Sequence, residues 1–166
     1  MKRIIVVLVM FAAAPRPAAF AQPSSGYTPN GVYFEALGQG LLYSVNFDHR
    51  FAENIAVRVG FSHFTIGFIS DVSISTIPLM VEYLSGTGNH HLEIGLGAVP
   101  IYGRISGDLF GSSEGTTGAW VVVATATVGY RYQPVREGFL FRIGLTPFFM
   151  NAGAQIFGGA SIGYAF

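Results

Sequence analysis

Through most of this chain large apolar side chains recur at every second residue, and the positions between them hold mainly Gly, Ser, Thr and Ala. Ile55, Val57, Val59 and Phe61 fall on one face of a strand, with Ala56, Arg58, Gly60 and Ser62 on the other. Tyr43, Val45 and Phe47 stand against Ser44, Asn46 and Asp48, and Phe139, Phe141, Ile143 and Leu145 against Arg142, Gly144 and Thr146. Period two sends successive side chains to opposite faces of a sheet. Soluble and membrane barrels share that alternation, so the content of the polar face has to separate them. A soluble exterior is dense in Lys and Glu. Here only 11% of residues are Asp, Glu, Lys or Arg and 51% are hydrophobic, against about 25% charged in ordinary soluble domains. Small residues with about one ionisable group per strand suit a narrow lumen, and the large residues then face lipid.

Breaks at Gly, Pro, Asn and Ser divide the alternating region into eight strands. They are expected at 31–38, 41–51, 55–65, 73–84, 91–102, 119–132, 138–147 and 158–166. Most run about 8–12 residues, against the roughly 9–11 that a tilted strand needs to cross a bilayer. The connections "FAEN", "SGTGNH" and "QPVRE" are short, whereas "IGFISDV", "GRISGDLFGSSEGTTG" and "FFMNAGAQIF" are longer. Short periplasmic turns and long outer loops are the rule in transmembrane barrels. Eight strands with both termini periplasmic satisfy that parity, except that the first outer connection, "LGQGL", is tight. The expected fold is therefore all-β: an eight-stranded antiparallel up-and-down transmembrane β-barrel.

The N-terminal segment reads as an export signal. Lys2 and Arg3 precede an apolar run from Ile4 to Ala14, and Ala19-Phe20-Ala21 offers a small-x-small cleavage site. The expected organisation is a signal peptide over 1–21, a short periplasmic lead over 22–30 and the barrel over 31–166. Losing Lys2, Arg3 and Arg16 leaves six arginines against nine acids, a formal charge of −3, and no lysine. Such a chain has no basic patch for nucleic acid. With no cysteine it uses neither disulfides nor a lipid-bearing thiol. No apolar run after the signal reaches the 18 residues of a helical span.

Aromatic residues gather near the two ends of the strands. Phe47, Phe51, Tyr83, Tyr130, Tyr132, Phe139, Phe141, Tyr164 and Phe166 fall toward the periplasmic ends. Phe64, Phe68, Tyr102, Trp120, Phe148 and Phe149 fall toward the outer ends. Two such belts are expected where rings meet headgroups. Backbone in hydrocarbon must pair every N–H and C=O, so the sheet must close. Eight strands leave an interior that side chains fill, which argues against an open diffusion pore.

The blocks "GLLYSVNFDHRF" (40–51), "GYRYQPVREGFLFRIGLTP" (129–147) and "GASIGYAF" (159–166) resemble small Gram-negative outer-membrane β-barrel domain proteins, porin-like in architecture. The resemblance spans about residues 31–166. It implies the fold and residence in the cell outer membrane, and carries no catalytic residues. It also implies that Ile162, Tyr164 and the terminal Phe166 form the signal read by the barrel-assembly machinery.

Glu35, Asp48, Glu82 and Glu93 are expected in the lumen with Arg58, Arg131 and Arg142. Confined charges of opposite sign should pair, and the preferred reading is a salt-bridge plug, with an ion path or an acid/base pair as the alternatives. Ser62 and His63 suggest a hydrolase, but adjacent strand residues point to opposite faces. His90-His91 lacks the neighbours of a metal site, and His49 reads as an interfacial turn residue. "GQG" at 38–40 precedes no helix and reads as a hairpin turn rather than a phosphate cradle. No catalytic residue, cofactor or metal site is assigned. The loop 103–118, with Asp108 and Glu114, is where an extracellular ligand would dock. The expected protein is a monomer whose partners are outer-membrane lipids, and its role is structural or surface-interacting rather than enzymatic. A low-conductance channel, a lipid-modifying enzyme and a soluble lipocalin-like carrier are the competing readings.

Overall fold

The computed structural model describes residues 26–67, 71–107, 115–151 and 153–166. The expected signal peptide, residues 22–25 of the lead, Phe68, Asp108 and Glu114 lie outside them.

Nine strand segments follow one another: β1 (Asn30–Leu37), β2 (Tyr43–Ala52), β3 (Ile55–Gly67), β4 (Asp71–Thr76), β5 (Leu79–Ser85), β6 (His90–Gly107), β7 (Gly115–Tyr132), β8 (Gly138–Met150) and β9 (Gly153–Ala165). Each pairs antiparallel with its neighbours. β1 pairs with β2 on one side and β9 on the other, which closes the barrel. β4 and β5 are two halves of one stave between β3 and β6, in a single register, since Ser62 faces Thr76 and Val59 faces Leu79. The ladder lapses between them because Pro78 and Pro100 have no N–H to donate. Their carbonyls still accept, from Gly60 N at 2.8 Å and Ile77 N at 3.0 Å. The closed barrel thus has eight staves.

Burial alternates along the staves. In β2, Ser44, Asn46, Asp48 and Arg50 are buried while Tyr43, Val45 and Phe47 are exposed; in β5, Met80, Glu82 and Leu84 are buried while Leu79, Val81 and Tyr83 are exposed. The buried, largely polar set points into the barrel and the large apolar set points out. At the end carrying both termini, Thr28 tucks beneath the staves. Its hydroxyl donates to Pro134 O at 2.6 Å, and Gln133 Nε2 donates to Thr28 O at 2.8 Å. The described part of the lead is therefore docked against the barrel.

The far end departs from the expected loops. β6 and β7 run on together through Arg104 opposite Gly118, Ile105 opposite Thr117 and Gly107 opposite Gly115. β8 and β9 pair as far as Met150 opposite Gly153, and β3 and β4 as far as Gly67 opposite Asp71. The long connections expected there are mostly strand. Gly, Ser and Thr resemble loop composition, but small residues directly opposed across two strands extend a ladder as readily as they end one.

Candidate functional site: a filled and capped lumen

All seven expected lumen charges meet in one cluster. β2 places Asp48 directly opposite Arg58 of β3, β5 supplies Glu82, β6 Glu93, β7 Arg131, β8 Arg142 and β1 Glu35. Glu82 is the hub and touches all three arginines: Arg58 Nε at 3.0 Å, Arg142 Nη2 at 3.0 Å and Arg131 Nη1 at 3.3 Å. Arg142 grips Glu93 through two nitrogens, with Nε donating to Oε2 at 2.9 Å and Nη2 donating to Oε1. Arg131 Nη2 donates to Asp48 Oδ2, and its Nη1 lies 3.5 Å from Glu93 Oε2. Arg58 Nη1 lies 3.5 Å from Glu35 Oε1, and the Ser44 hydroxyl donates to Glu35 Oε2 at 3.1 Å. Arg142 also donates to the Tyr33 hydroxyl and lies over the Tyr33 ring, 4.6 Å from its centre. The charged groups are almost completely buried. Removing charges from water is costly unless each has partners, and here every carboxylate meets a guanidinium, with Glu82 and Glu93 shared between several.

A cap lies above the network. Between β1 and β2, Gly38–Gly40 forms a single 3-10 turn with all three residues buried. Leu37, Gly38 and Leu41 have φ of 63°, 72° and 70°, a left-handed region that favours glycine. At Gly38 a Cβ would lie 2.7 Å from the Glu35 carboxyl carbon. Gln39 reaches from this turn to the facing wall, where its Nε2 donates to Ala126 O at 3.3 Å. The β7–β8 ladder is interrupted there, opposite Pro147, which has no N–H to offer. Leu41 packs on a layer formed by Val99, Val123 and Phe148. The tight "LGQGL" connection is thus a plug folded into the barrel and more than a hairpin turn. Its sequence signal was the pair of glycines flanking a polar residue in an unusually short outer connection.

The histidines are separated. Ser62 is buried inward and His63 faces out. His63 Nδ1 instead meets Ser75 Oγ across the strand pair at 2.9 Å, a partner the sequence reading missed because it looked only at neighbours in the chain. A nucleophilic dyad needs a third group to orient the imidazole, and the described partners of His63 supply no carboxylate. His90 faces out and shares a 2.6 Å hydrogen bond with Tyr130 Oη, while His91 faces in. His49 is in β2, bonded to Asn30 Oδ1 at 2.8 Å, rather than in a turn. Among the described residues no group of three His, Cys, Asp or Glu is placed to hold a metal. In the expected far-end belt, Phe148 is buried inside the barrel and Phe64 shares the inward face of Ser62. Tyr102, Trp120 and Phe149 point outward.

Ile162, Tyr164 and Phe166 are exposed on the outer face. Phe166 and Asn30 exchange two backbone hydrogen bonds, N to O at 2.9 Å and 3.0 Å, and these fasten the last residue to the first strand.

No protein-family profile matches the chain, and no curated protein sequence matches it. Solved structures do. The N-terminal β-barrel domain of OprF from Pseudomonas aeruginosa superposes with a TM-score of 0.60 at 13% identity, covering 86% of this chain and 98% of that one. Ail, the attachment invasion locus protein of Yersinia pestis, gives 0.53 at 12% identity over 84% of this chain and 97% of its own. A complex of Ail with the heparin analogue sucrose octasulfate gives 0.52. The likeness is one of fold: these neighbours are eight-stranded outer-membrane barrels.

Proposed function

We propose that this chain is an exported, non-enzymatic barrel of the outer membrane, with both termini periplasmic, whose lumen conducts nothing and whose outward rim is the working surface. The observation that carries the reading is the combination of an apolar jacket with a filled interior. Phe47, Val59, Val81, Leu96, Ile143 and Ile162 stand exposed around the outside, where water would be an unfavourable neighbour. Inside, the seven-membered charge cluster and the Gly38–Gly40 plug block the path through the barrel. Such a barrel serves as a membrane-anchored scaffold, and its surface role falls to the strands that extend beyond the plug.

The terminal strand is read as the assembly signal, with Phe166 as its last element. Phe166→Ala keeps the two backbone bonds to Asn30 and removes only the ring, so recognition is separated from barrel closure. In fractionated cells the wild-type chain is expected in the outer membrane, migrating differently on a denaturing gel before and after boiling. The variant should reach that fraction at several-fold lower levels and, once inserted, show the same shift. Recovery of the wild type from the soluble periplasm overturns the membrane reading, and normal levels of the variant overturn the signal reading.

A further inference from the structure

Above the plug the polarity of β3 and β4 inverts, while β6 to β9 keep Tyr102, Trp120, Phe149 and Ile156 on the outside. Below it, β3 turns Ile55, Val57, Val59 and Phe61 outward; above it, the outward residues of β3 and β4 are His63, Thr65, Ser73 and Ser75, which bond to one another in cross-strand pairs at 2.9 Å. The unbroken register puts Phe64, Ile66, Ile74, Ile101, Ile105 and Val121 on the inward face of the same region. An apolar-in, polar-out sheet normally fills its interior with side chains. This one does not: Ile66, Ile105 and Val121 point inward yet are 50%, 47% and 54% exposed, whereas Val99 and Val123 in the layer beneath are at most 7% exposed. The far end is an apolar cup with the plug as its floor.

Among the described residues one side of the cup has no wall. β1 stops at Leu37 opposite Gly159, and the β2 pairing with β3 ends at Val45 opposite Phe61. β9 from Gly153 to Gly158 and β3 from Ser62 to Gly67 therefore stand on either side of a notch above the short β1–β2 hairpin. Exposed Leu37 and Leu42 form its sill, with exposed Phe34, Phe61 and Ile156 on the outer surface beside it. The path from the outer surface over the sill into the cup is lined mainly by apolar side chains, and the described polar side chains whose register points them inward around it are Gln155 of β9, Thr76 opposite Ile101 and Thr117 opposite Ile105.

We propose that the cup holds the acyl chain of an outer-leaflet phospholipid, entering sideways through the notch between β9 and β3. The inference rests on the outer-membrane reading, which fixes the leaflet. A hydrocarbon chain asks nothing of the lining but apolar area, and it would cover the inward isoleucines and Val121.

The test uses the full-length mature barrel in phosphatidylethanolamine vesicles doped with phosphatidylethanolamine bearing a diazirine on one acyl chain. After irradiation, adducts are located residue by residue by mass spectrometry. Labelling is expected on Ile101, Val121 and Ile74 inside as well as on outward residues such as Ile94 and Ile143. Val121→Asn combined with Ile101→Asn should cut the inward labelling about tenfold, the change expected for about 1.4 kcal/mol of lost affinity, with outward labelling unchanged. Should that pair fail to fold, Ile105→Ser at the rim is expected to lower it several-fold. Labelling confined to outward residues overturns the cup proposal and leaves the membrane reading intact. Absence of outward labelling overturns the membrane reading itself. Inward labelling by an added free fatty-acid diazirine but not by the phospholipid overturns the bilayer source.

Discussion

Arg142→Ala is expected to destabilise the folded barrel by about 3–5 kcal/mol, the cost of leaving buried charge without its partner. Among the described residues Arg142 alone holds Glu93 through two nitrogens, and it also touches Glu82 and Tyr33. The cluster carries four carboxylates against three guanidiniums, so removing one arginine takes its formal charge from −1 to −2 in a space sealed from water. Urea unfolding in detergent micelles reports the effect through Trp120, the single tryptophan, together with gel mobility. Asn151→Ala, in the exposed β8–β9 turn, is the matched surface change and should fall within about 0.5 kcal/mol of wild type. Adding Glu93→Gln to Arg142→Ala should recover part of the loss, because the orphaned charge goes with it. Equal stability of Arg142→Ala and Asn151→Ala would mean that the network does not hold the barrel together.

Gly163→Val should be the most damaging single change in the last strand. Gly163 faces inward at the closing seam, opposite Tyr33 of β1 and Leu140 of β8. A Cβ there would lie 2.5 Å from Tyr33 Cα and closer still to Val32 O and Tyr33 Cβ. Much of that obstruction is backbone, so β1 must move away and the barrel must open at the seam. Overpacking alone costs roughly 1–3 kcal/mol, and loss of closure would expose unpaired backbone to lipid. We expect no heat-modifiable species. Gly158→Val is the control in the same strand: its nearest obstruction is Gly144 O at 3.8 Å, and valine suits a strand, so it should fold normally. Equivalent folding of both variants would contradict the assigned closure between β1 and β9.

Much of this was legible because period two is a strong constraint wherever one face is lipid and the other a crowded lumen. The eight staves, their faces and the seven charges follow from residues such as Val57, Arg58 and Val59, whose types admit one orientation. Three features escaped that logic. The strand extensions of β6 and β7 are written largely in Gly, Ser and Thr, which carry little directional signal, so Gly103 to Gly118 reads as a loop although 103–107 and 115–118 pair. The plug depends on a carbonyl at Ala126 to which Pro147 cannot donate, a three-dimensional coincidence between Gln39 and a residue 87 positions along the chain. The inversion of β3 and β4 above Ser62 defeats the assumption of one polarity per strand: Phe64 reads as a belt aromatic, yet its register turns it inward, and Phe148 is likewise buried inside the barrel. The Ser75–His63 pair was missed for a related reason, since strand register rather than chain proximity brings the two together.

The central claim is that the lumen is filled by the charge network and stoppered by Gly38–Gly40. It is tested most directly by recording from the purified wild-type barrel in planar bilayers. The account predicts insertion without steady conductance steps in either polarity, and reproducible single-channel steps from the wild-type protein would contradict it.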